Sequence, residues 1–246
     1  MTEYKYVGDE LDAFAEATNW KSYLKHTVAG FIRGDVLEVG AGLGTTTRFL
    51  CSGAQSSWTC LEPDKSLAER LRVTISEANL PVTPKILTKR LAELDPDQSF
   101  DTILYVDVLE HVPDDAKELE TARTYLRVGG HLIVIGPAHQ WLFSEFDHAI
   151  GHYRRYSRRS LLAAVPPDMP NVLLRYLDSL GVVLSAANRW FLRSSKPAPK
   201  QIRFWDRVVV RMSRLLDPLL GWRLGKTVVG VWRLDRPCDQ RREATR

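Results

Sequence analysis

The sequence predicts an α/β fold in which a mostly parallel sheet carries helices on both faces. Short apolar runs alternate with longer amphipathic ones, which is the pattern of strands that are joined by crossover helices. A glycine-rich turn follows the first apolar run. A chain of 246 residues, of which 44% are hydrophobic, buries a substantial core. We therefore expect one domain over residues 1–236 and a polar tail over 237–246.

Five strands are predicted in the first part of the chain. They occupy residues 35–40, 57–63, 84–88, 100–107 and 131–137, and the helices between them occupy residues 44–52, 65–79 and 113–127. Pro113, Asp114 and Asp115 indicate a helix start, because proline suits the first helical position and acids complement the helix dipole. Gly129 and Gly130 are expected to stop that helix.

Helical elaborations are predicted on both sides of this core. Residues 1–34 are amphipathic at the helical period and are expected to form an N-terminal cap that covers a site. Residues 138–225 are expected to form elaborations on the acceptor side. They comprise an aromatic, basic segment (138–160), a strand (171–177), helices (179–192 and 200–216) and a linker (194–200), and a final strand follows at 226–234.

Composition excludes few classes of protein. The net charge of +4 and the pI near 9.0 are too mild to indicate nucleic acid. Cys51, Cys60 and Cys238 have no CxxC spacing, so we expect neither a disulfide framework nor a zinc site, and no Asp/His cluster at ligand spacing predicts another metal. Without an apolar signal segment or membrane span, a soluble cytoplasmic protein is expected.

The stretch "DVLEVGAGLGTTTRFL" places glycines at alternate positions between a strand and a helix. Such a turn lets a ligand approach the backbone closely. The dinucleotide fingerprint needs a glycine where Thr45 stands. Glu38 would repel a pyrophosphate but would favour a ligand with an ammonium and a sulfonium, such as S-adenosylmethionine. Glu62, after the second strand, suits ribose hydroxyls, as it would in NAD enzymes too. A plain βα turn is the remaining alternative.

Four motifs in order, "VLEVGAGLGTTT", "LEPD", "FDTILYVDVLEHVPDD" and "LRVGGHLIVIGPA", resemble those of class I S-adenosylmethionine-dependent methyltransferases over residues 35–137. The resemblance implies a Rossmann-like sheet of seven strands whose last strand, "KTVVGVWRL", is antiparallel. It also implies the cofactor contacts. These are Glu38, Gly40, Ala41, Gly42 and Gly44 at the methionine end, Glu62, Pro63 and Asp64 at the ribose, the Leu91 and Ala92 backbone at the adenine, and Asp107.

The acceptor is less well indicated. The fourth strand lacks the [DN]PP[YF] tetrapeptide that similar enzymes use on amino groups of nucleic acid bases. His111, at the mouth of that strand, is a candidate base or orienting group, or else a loop histidine satisfied by the backbone.

The segment "PAHQWLFSEFDHAIGHYRRYSRRSL" follows the fifth strand, where acceptor sites lie in open α/β sheets. It resembles a segment of small-molecule methyltransferases connected with glycan, lipid or secondary-metabolite pathways. Asp147, His148 and His152 are candidate bases. Arg154 and Arg155 are candidates to clamp an acidic group of the acceptor, beside His139, Trp141 and Tyr153. A solvated basic helix start and a packed lid are the alternatives.

Residues 200–216 combine a basic stripe with an apolar side. The stripe comprises Lys200, Arg203, Arg207, Arg211 and Arg214; the apolar side comprises Phe204, Trp205, Val208, Val209, Met212, Leu215 and Leu216. Such a helix lies on anionic membranes, or packs on a sheet with its basic face in water.

The sequence thus predicts a methyltransferase that uses S-adenosylmethionine and acts at oxygen on a small-molecule acceptor such as a secondary metabolite, a sugar or a lipid-linked compound. The acceptor is expected to be anionic or lipid-linked, and membrane contact through 200–216 is an alternative to a purely cytoplasmic location. An RNA methyltransferase and a non-catalytic cofactor-binding scaffold are the rival interpretations.

Overall fold

A computed structural model describes residues 5–8, 10–187 and 198–236. Seven strands form one sheet in the order β3-β2-β1-β4-β5-β7-β6. The strands are β1 (Gly34–Val39), β2 (Gln55–Leu61), β3 (Lys85–Leu87), β4 (Phe100–Val106), β5 (Leu126–Pro137), β6 (Asn171–Leu177) and β7 (Thr227–Arg233). Only β7 runs antiparallel to its neighbours β5 and β6. The predicted Rossmann-like fold is confirmed.

Helices cover both faces of the sheet. They are α1 (Glu10–Ala15), α2 (Thr18–Val28), α3 (Thr47–Leu50), α4 (Lys65–Glu77), α5 (Asp115–Thr124), α6 (Glu145–Ala149), α7 (Arg158–Ala164), α8 (Ser179–Ala187), α9 (Pro199–Phe204) and α10 (Val210–Leu219). A π-helical stretch, Trp205–Val209, joins α9 to α10. One apolar layer includes Trp58 and Trp205, and the other, on the opposite face, includes Tyr105 and Trp232.

The junction between α5 and β5 differs from the prediction. The helix begins at Asp115 with Asp114 as its cap, whose side chain accepts from Lys117 N at 3.0 Å, so Pro113 lies before the helix. The helix ends at Thr124, and β5 begins at Leu126 rather than at residue 131. Leu126 pairs with Phe100 of β4, and the register then shifts before His131 pairs with Thr102, an irregularity that the sequence pattern did not predict.

Buried aspartates tie the elaborations to the N-terminal helices. Asp206 accepts from Trp20 N at 2.8 Å and from Asn19 Nδ2 at 2.8 Å, so it caps the start of α2. Asp217 accepts from Tyr23 Oη at 2.9 Å and from the backbone nitrogen of Asp178 at 2.7 Å. The helices on this face are therefore joined by hydrogen bonds as well as by apolar contact.

Three sequence predictions fall at least partly outside the described residues. These are the end of the 179–192 helix, most of the 194–200 linker, and the 237–246 tail with Cys238. Within the part of the chain that the structure describes, none of the helices has the length and apolarity to cross a membrane.

Candidate active site

A cavity of about 630 Å³ opens beyond the carboxyl ends of the central strands. Three parts of the chain line it: the N-terminal segment with α2, the loops after β1, β4 and β5, and the α8–α9 region. Its lining is mainly apolar, with a few charged groups, as expected of a small-molecule site. The charged lining residues include Glu10, Lys21, Glu38, Asp107, Glu110, His152, Arg155, Lys200 and Lys226.

The three glycines after β1 serve different purposes. All have positive φ, at 69°, 55° and 72° for Gly40, Gly42 and Gly44. A Cβ on Gly40 would lie 2.7 Å from Val108, and one on Gly44 would lie 2.4 Å from Leu71. A Cβ on Gly42 would meet nothing closer than 3.8 Å. Gly42 therefore keeps the cavity wall bare, whereas Gly44 lets α4 pack closely and does not line the cavity.

Glu38 is buried, with 2% of its surface exposed, yet lines the cavity. Its Oε2 accepts from Thr47 Oγ1 at 2.8 Å and from Trp58 Nε1 at 3.0 Å. Burial raises the pKa of Glu38 to about 7, which these hydrogen bonds oppose. Its charge therefore depends on what enters the cavity.

Glu62 holds the glycine turn from the neighbouring strand. Its two oxygens accept from Gly42 N at 2.8 Å and from Asp64 N at 2.9 Å. Asp64 accepts in turn from Tyr6 N at 2.8 Å, so the N-terminal segment covers this end of the cleft. Neither carboxylate lines the cavity in this arrangement, and Pro63 does not line it either. A carboxylate oxygen has lone pairs to spare, so Glu62 can accept further hydrogen bonds.

The residues expected to contact adenine lie elsewhere. Leu91 and Ala92 belong to a short 3₁₀ turn, Leu91–Glu93, in which Leu91 is buried in the core and Ala92 is exposed. Neither lines the cavity. The expectation of backbone contacts from these two positions has no support in this arrangement, because their turn faces the α5 side of the sheet.

The end of β4 contributes two acids and a histidine to the cavity. Asp107, Glu110 and His111 line it, and Asp107 has a φ of 53°. Glu110 is fully buried, and its Oε1 and Oε2 both lack a hydrogen-bond partner among the described residues. Burial raises the pKa of Glu110 well above its usual range, and burial lowers the pKa of His111 to about 4.

Asp147 is the centre of a buried hydrogen-bonded group. Its carboxylate accepts from Arg155 Nε at 2.8 Å and Nη2 at 2.9 Å, and His152 Nδ1 lies 2.9 Å from its Oδ1. Burial alone would raise the pKa of Asp147, but the His152 hydrogen bond and the Arg155 charge hold that pKa well below its usual range. Asp147 therefore orients its two partners and is a poor base, contrary to the sequence expectation. His152 and Arg155 line the cavity.

The remaining candidate residues of this segment do not line the cavity, although Leu142, Ser144, Phe146 and Ile150 do. Arg154 Nη1 pairs with Asp115 Oδ2 at 2.8 Å instead of facing an acceptor. The other four candidates, which do not line the cavity either, are His139, Trp141, His148 and Tyr153. Of the candidates in this segment, only His152 and Arg155 line the cavity, together with the four residues named above, which were not candidates.

Two lysines at the cavity were not singled out by the sequence. Lys21 Nζ donates to Phe14 O at 2.6 Å, and burial lowers its pKa to about 8. Lys226 Nζ lies 3.7 Å from the Trp205 ring centroid and 3.7 Å from Asp178 Oδ2. Neither position has a local sequence signal for a site, because Lys21 lies within an amphipathic helix and Lys226 lies just before the last strand.

Residues 199–219 expose apolar as well as basic side chains. Trp205 and Val209 face the core, whereas Phe204 is 55% exposed, Met212 51% and Leu215 73%. Packing of the whole apolar side on the sheet, one of the two alternatives, is therefore not what the structure shows. The π-helical stretch turns Trp205 and Asp206 inwards together, which leaves the apolar residues of the next row on the outside.

A parallel sheet of this order, with a bare glycine turn at the mouth of a deep cavity, defines a protein that binds a nucleotide-like cofactor beyond its strand ends. Residues 37–132 match the family model described as "Methyltransferase domain". This match falls on the region whose motifs resemble those of the class I S-adenosylmethionine-dependent methyltransferases.

Solved structures share this fold. A chain of the complex between the Haloferax volcanii Trm112 methyltransferase activator and a putative methyltransferase aligns with a TM-score of 0.63 and 17% identity, over 94% of this chain and 99% of that one. The N-methyltransferase NodS of Bradyrhizobium japonicum, in complex with S-adenosylhomocysteine, aligns with a TM-score of 0.58 and 12% identity, over 90% of this chain and 88% of that one. The mitomycin 7-O-methyltransferase MmcR aligns with a TM-score of 0.56 and 16% identity, over 88% of this chain and 53% of that one.

The residues present fit the methyl donor. The bare surface at Gly42 leaves room for the ligand at the turn, and Glu38 offers a carboxylate to its cationic groups. Lys21 and Asp107 line the same end of the cavity, where they match a ligand that carries both charges of an amino acid.

Proposed function

We propose that the chain transfers a methyl group from S-adenosylmethionine to a hydroxyl oxygen of a small amphiphilic acceptor that has an apolar, lipid-like portion. Bound donor supplies an electrophilic methyl carbon on its sulfonium. The chain positions the two reactants and shields them from water. The observation that carries the acceptor class is the continuity of the cavity with an exposed apolar surface.

The donor end of the cavity is formed by the glycine turn, Glu38 and the β4 end. From there the cavity extends past Glu110 and His152 towards α8 and α9. An acceptor oxygen that meets the donor must therefore lie beside the Glu110, His111 and His152 side chains.

The far end of the cavity is apolar and exposed. Leu184 and Phe204 both line the cavity, and they are 41% and 55% exposed. They thus belong to the cavity wall and to the outer surface at once. An acceptor with a polar head and an apolar tail would place its head at the β4 end and its tail at this mouth.

The outer surface around this mouth favours an anionic membrane. Phe204, Val208, Met212, Leu215 and Leu219 form an exposed row at helical spacing, with Leu215 73% and Leu219 82% exposed. Apolar patches of this kind mark interaction surfaces.

A basic row borders these apolar residues. Its members, Lys200, Arg203, Arg207, Arg211 and Arg214, are all exposed. Arg203 approaches Glu16 at 3.9 Å, Arg211 donates to Asn19 Oδ1 at 3.0 Å, and Arg207 and Arg214 form no ion pair with any described residue. An apolar row that inserts beside a basic row that meets lipid phosphates matches an interfacial helix.

The rival interpretations predict different outcomes. An RNA acceptor requires a basic path into the cavity, whereas Lys200 is the one member of the basic row that lines it, beside the exposed apolar Leu184 and Phe204. A non-catalytic scaffold would bind the donor without turnover.

Methyl transfer is tested with donor labelled on its methyl group. The purified chain is incubated with lipid extract, polar metabolite extract or total RNA, and the label is located by mass spectrometry. We expect labelled product in the lipid fraction. Label in RNA alone, or none in any fraction despite donor binding, refutes the proposed acceptor.

Membrane contact is tested by sedimentation with vesicles that contain phosphatidylserine. Arg207→Glu with Arg211→Glu should weaken binding by at least about 30-fold, since each basic residue near the surface contributes about 1 kcal/mol. Lys85→Glu with Lys89→Glu, both exposed at the other edge of the sheet, changes net charge equally and should have little effect. Equal loss in both variants would show non-specific attraction.

A further inference from the structure

Glu110 is unusual among the buried groups of this chain. Its side chain is fully buried, and both carboxylate oxygens lack a hydrogen-bond partner among the described residues. Burying a carboxylate without partners costs several kcal/mol, so such groups in proteins are paired, protonated or bound to metal. The nearest cation-forming side chain is His152, whose Nε2 lies 3.7 Å from Glu110 Oε1. That distance is too long for a hydrogen bond.

Two imidazole rings face this carboxylate. The rings of His111 and His152 lie edge to face with centroids 4.5 Å apart. One potential ligand atom from each of Glu110, His111 and His152 lies within 4.8 Å of the others. This grouping has no local sequence signature, because His152 comes from the segment after β5 and reaches the β4 end only in the fold. Sequence spacing therefore did not predict this cluster, which only the fold brings together.

Each of the two imidazole rings is held in place by a contact that does not involve Glu110. His152 Nδ1 lies 2.9 Å from Asp147 Oδ1, which leaves Nε2 directed at Glu110. Asp147 is itself fixed by Arg155 and by Ser144 N at 2.8 Å. His111 hydrogen-bonds the backbone of Gly151. A carboxylate behind a histidine, with that carboxylate hydrogen-bonded in turn, is the arrangement that orients metal-ligating histidines.

We propose that Glu110, His111 and His152 bind a divalent transition-metal cation at the inner end of the cavity. Two imidazoles and one carboxylate suit Mn²⁺, Fe²⁺ or Zn²⁺ better than Mg²⁺, which prefers oxygen ligands and retains water. All three ligand residues line the cavity. A bound ion would therefore be open to the cavity, where Asp107 adds negative charge.

The role of the cation in catalysis rests on the proposed function: an acceptor hydroxyl that coordinates the ion loses its proton more readily, and the proton passes to bulk solvent. Cation binding itself requires no acceptor and no turnover. The two proposals can therefore fail separately.

The experiment measures cation binding to the full chain after removal of metal by a chelator. Mn²⁺ and Zn²⁺ are titrated calorimetrically, and the metal content of the reloaded, dialysed protein is measured by elemental mass spectrometry. We expect about one ion per chain, bound at least about 10-fold more weakly by Glu110→Gln and by His111→Gln. Asp147→Asn should weaken binding by about 10- to 100-fold through His152. His148→Gln, outside the cavity, should bind as the wild type does.

Donor binding provides the separate readout. Glu110→Gln should retain S-adenosylhomocysteine affinity within about 3-fold, which shows that it is folded. Absence of Mn²⁺ and Zn²⁺ binding by the wild-type chain, or equal binding by wild type, Glu110→Gln and His111→Gln, overturns the proposal whatever the activity. Binding that persists while no acceptor is methylated overturns only the proposed function.

Discussion

Removal of the Asp217 carboxylate should destabilise the fold strongly. Asp217 is fully buried and accepts from Tyr23 Oη at 2.9 Å, Asp178 N at 2.7 Å and Ser179 N at 3.0 Å. Asp217→Ala leaves three buried donors without an acceptor. At about 1–1.5 kcal/mol each, the expected loss in the free energy of unfolding is about 3–4 kcal/mol. Most domains have only about 5–15 kcal/mol in total.

Urea denaturation measures this loss. If the free energy of unfolding falls by about 2–3 kcal/mol per molar urea, the urea midpoint of Asp217→Ala should be lower than that of the wild type by more than about 1 M. Tyr23→Phe removes one donor and should cost about 1 kcal/mol. The double variant should lose less than the sum, because the orphaned hydroxyl is then absent. Asp235→Ala, which breaks only an exposed pair with Arg233, is the matched control. An Asp217→Ala midpoint equal to that of the control refutes the reasoning.

Three further predictions concern the cavity. Gly42→Val should abolish donor binding in calorimetry while the fold persists, because its side chain would occupy the bare wall; unchanged affinity would place the donor elsewhere. Because the pKa of Glu38 is about 7, donor affinity should fall about 10-fold from pH 8 to pH 6 as its carboxylate protonates, and Glu38→Gln should remove that dependence. The stability of the ligand-free protein should depend on pH in the opposite direction. Because folding raises the pKa of Glu38, its contribution to stability is fully present below the pKa of the unfolded chain and is lost as the pH rises through 7. Arg155→Ala should cut the transfer rate at least about 10-fold by releasing Asp147 and His152, whereas Arg154→Ala should change it less than about 2-fold; equal effects would contradict the division of this segment.

The sheet was predictable because its strands are continuous apolar runs with clear breaks between them. β4 has five of its seven residues buried, and such a run has little alternative to a central strand. The α5–β5 boundary was not predictable in the same way. Gly129 and Gly130 are typical of a helix end, and here they lie within an irregular strand pairing instead.

The helix over residues 199–219 shows why periodicity alone does not predict which side of a helix is buried. The spacing from Lys200 to Arg214 correctly predicts a helix, since charged and apolar residues recur every three or four positions. It does not say which row meets the core. Buried Asp206 and Asp217 occupy core-facing positions that hydropathy assigns to water, and only their partners in the fold explain them.

The candidate site was partly predictable for a similar reason. The glycine turn has a local signature, so its place at the cavity was expected. Adjacent arginines carry no such information: Arg154 and Arg155 point to opposite sides of one extended segment. Lys21, Tyr6 and Lys226 reach the cavity from distant parts of the chain, and nothing in their neighbouring residues predicts that.

The helix over residues 199–219 forms a partition with two working faces. Ile202 and Trp205 form part of the inner wall of the cavity, while Arg203 and Arg207 lie on the outside of the same turns. Asp206 links this partition to the start of α2, which carries Lys21 at the donor end. One helix therefore forms both the outer face and the cavity wall. A partner that displaces this helix from outside would change the width of the cavity at both its donor end and its mouth.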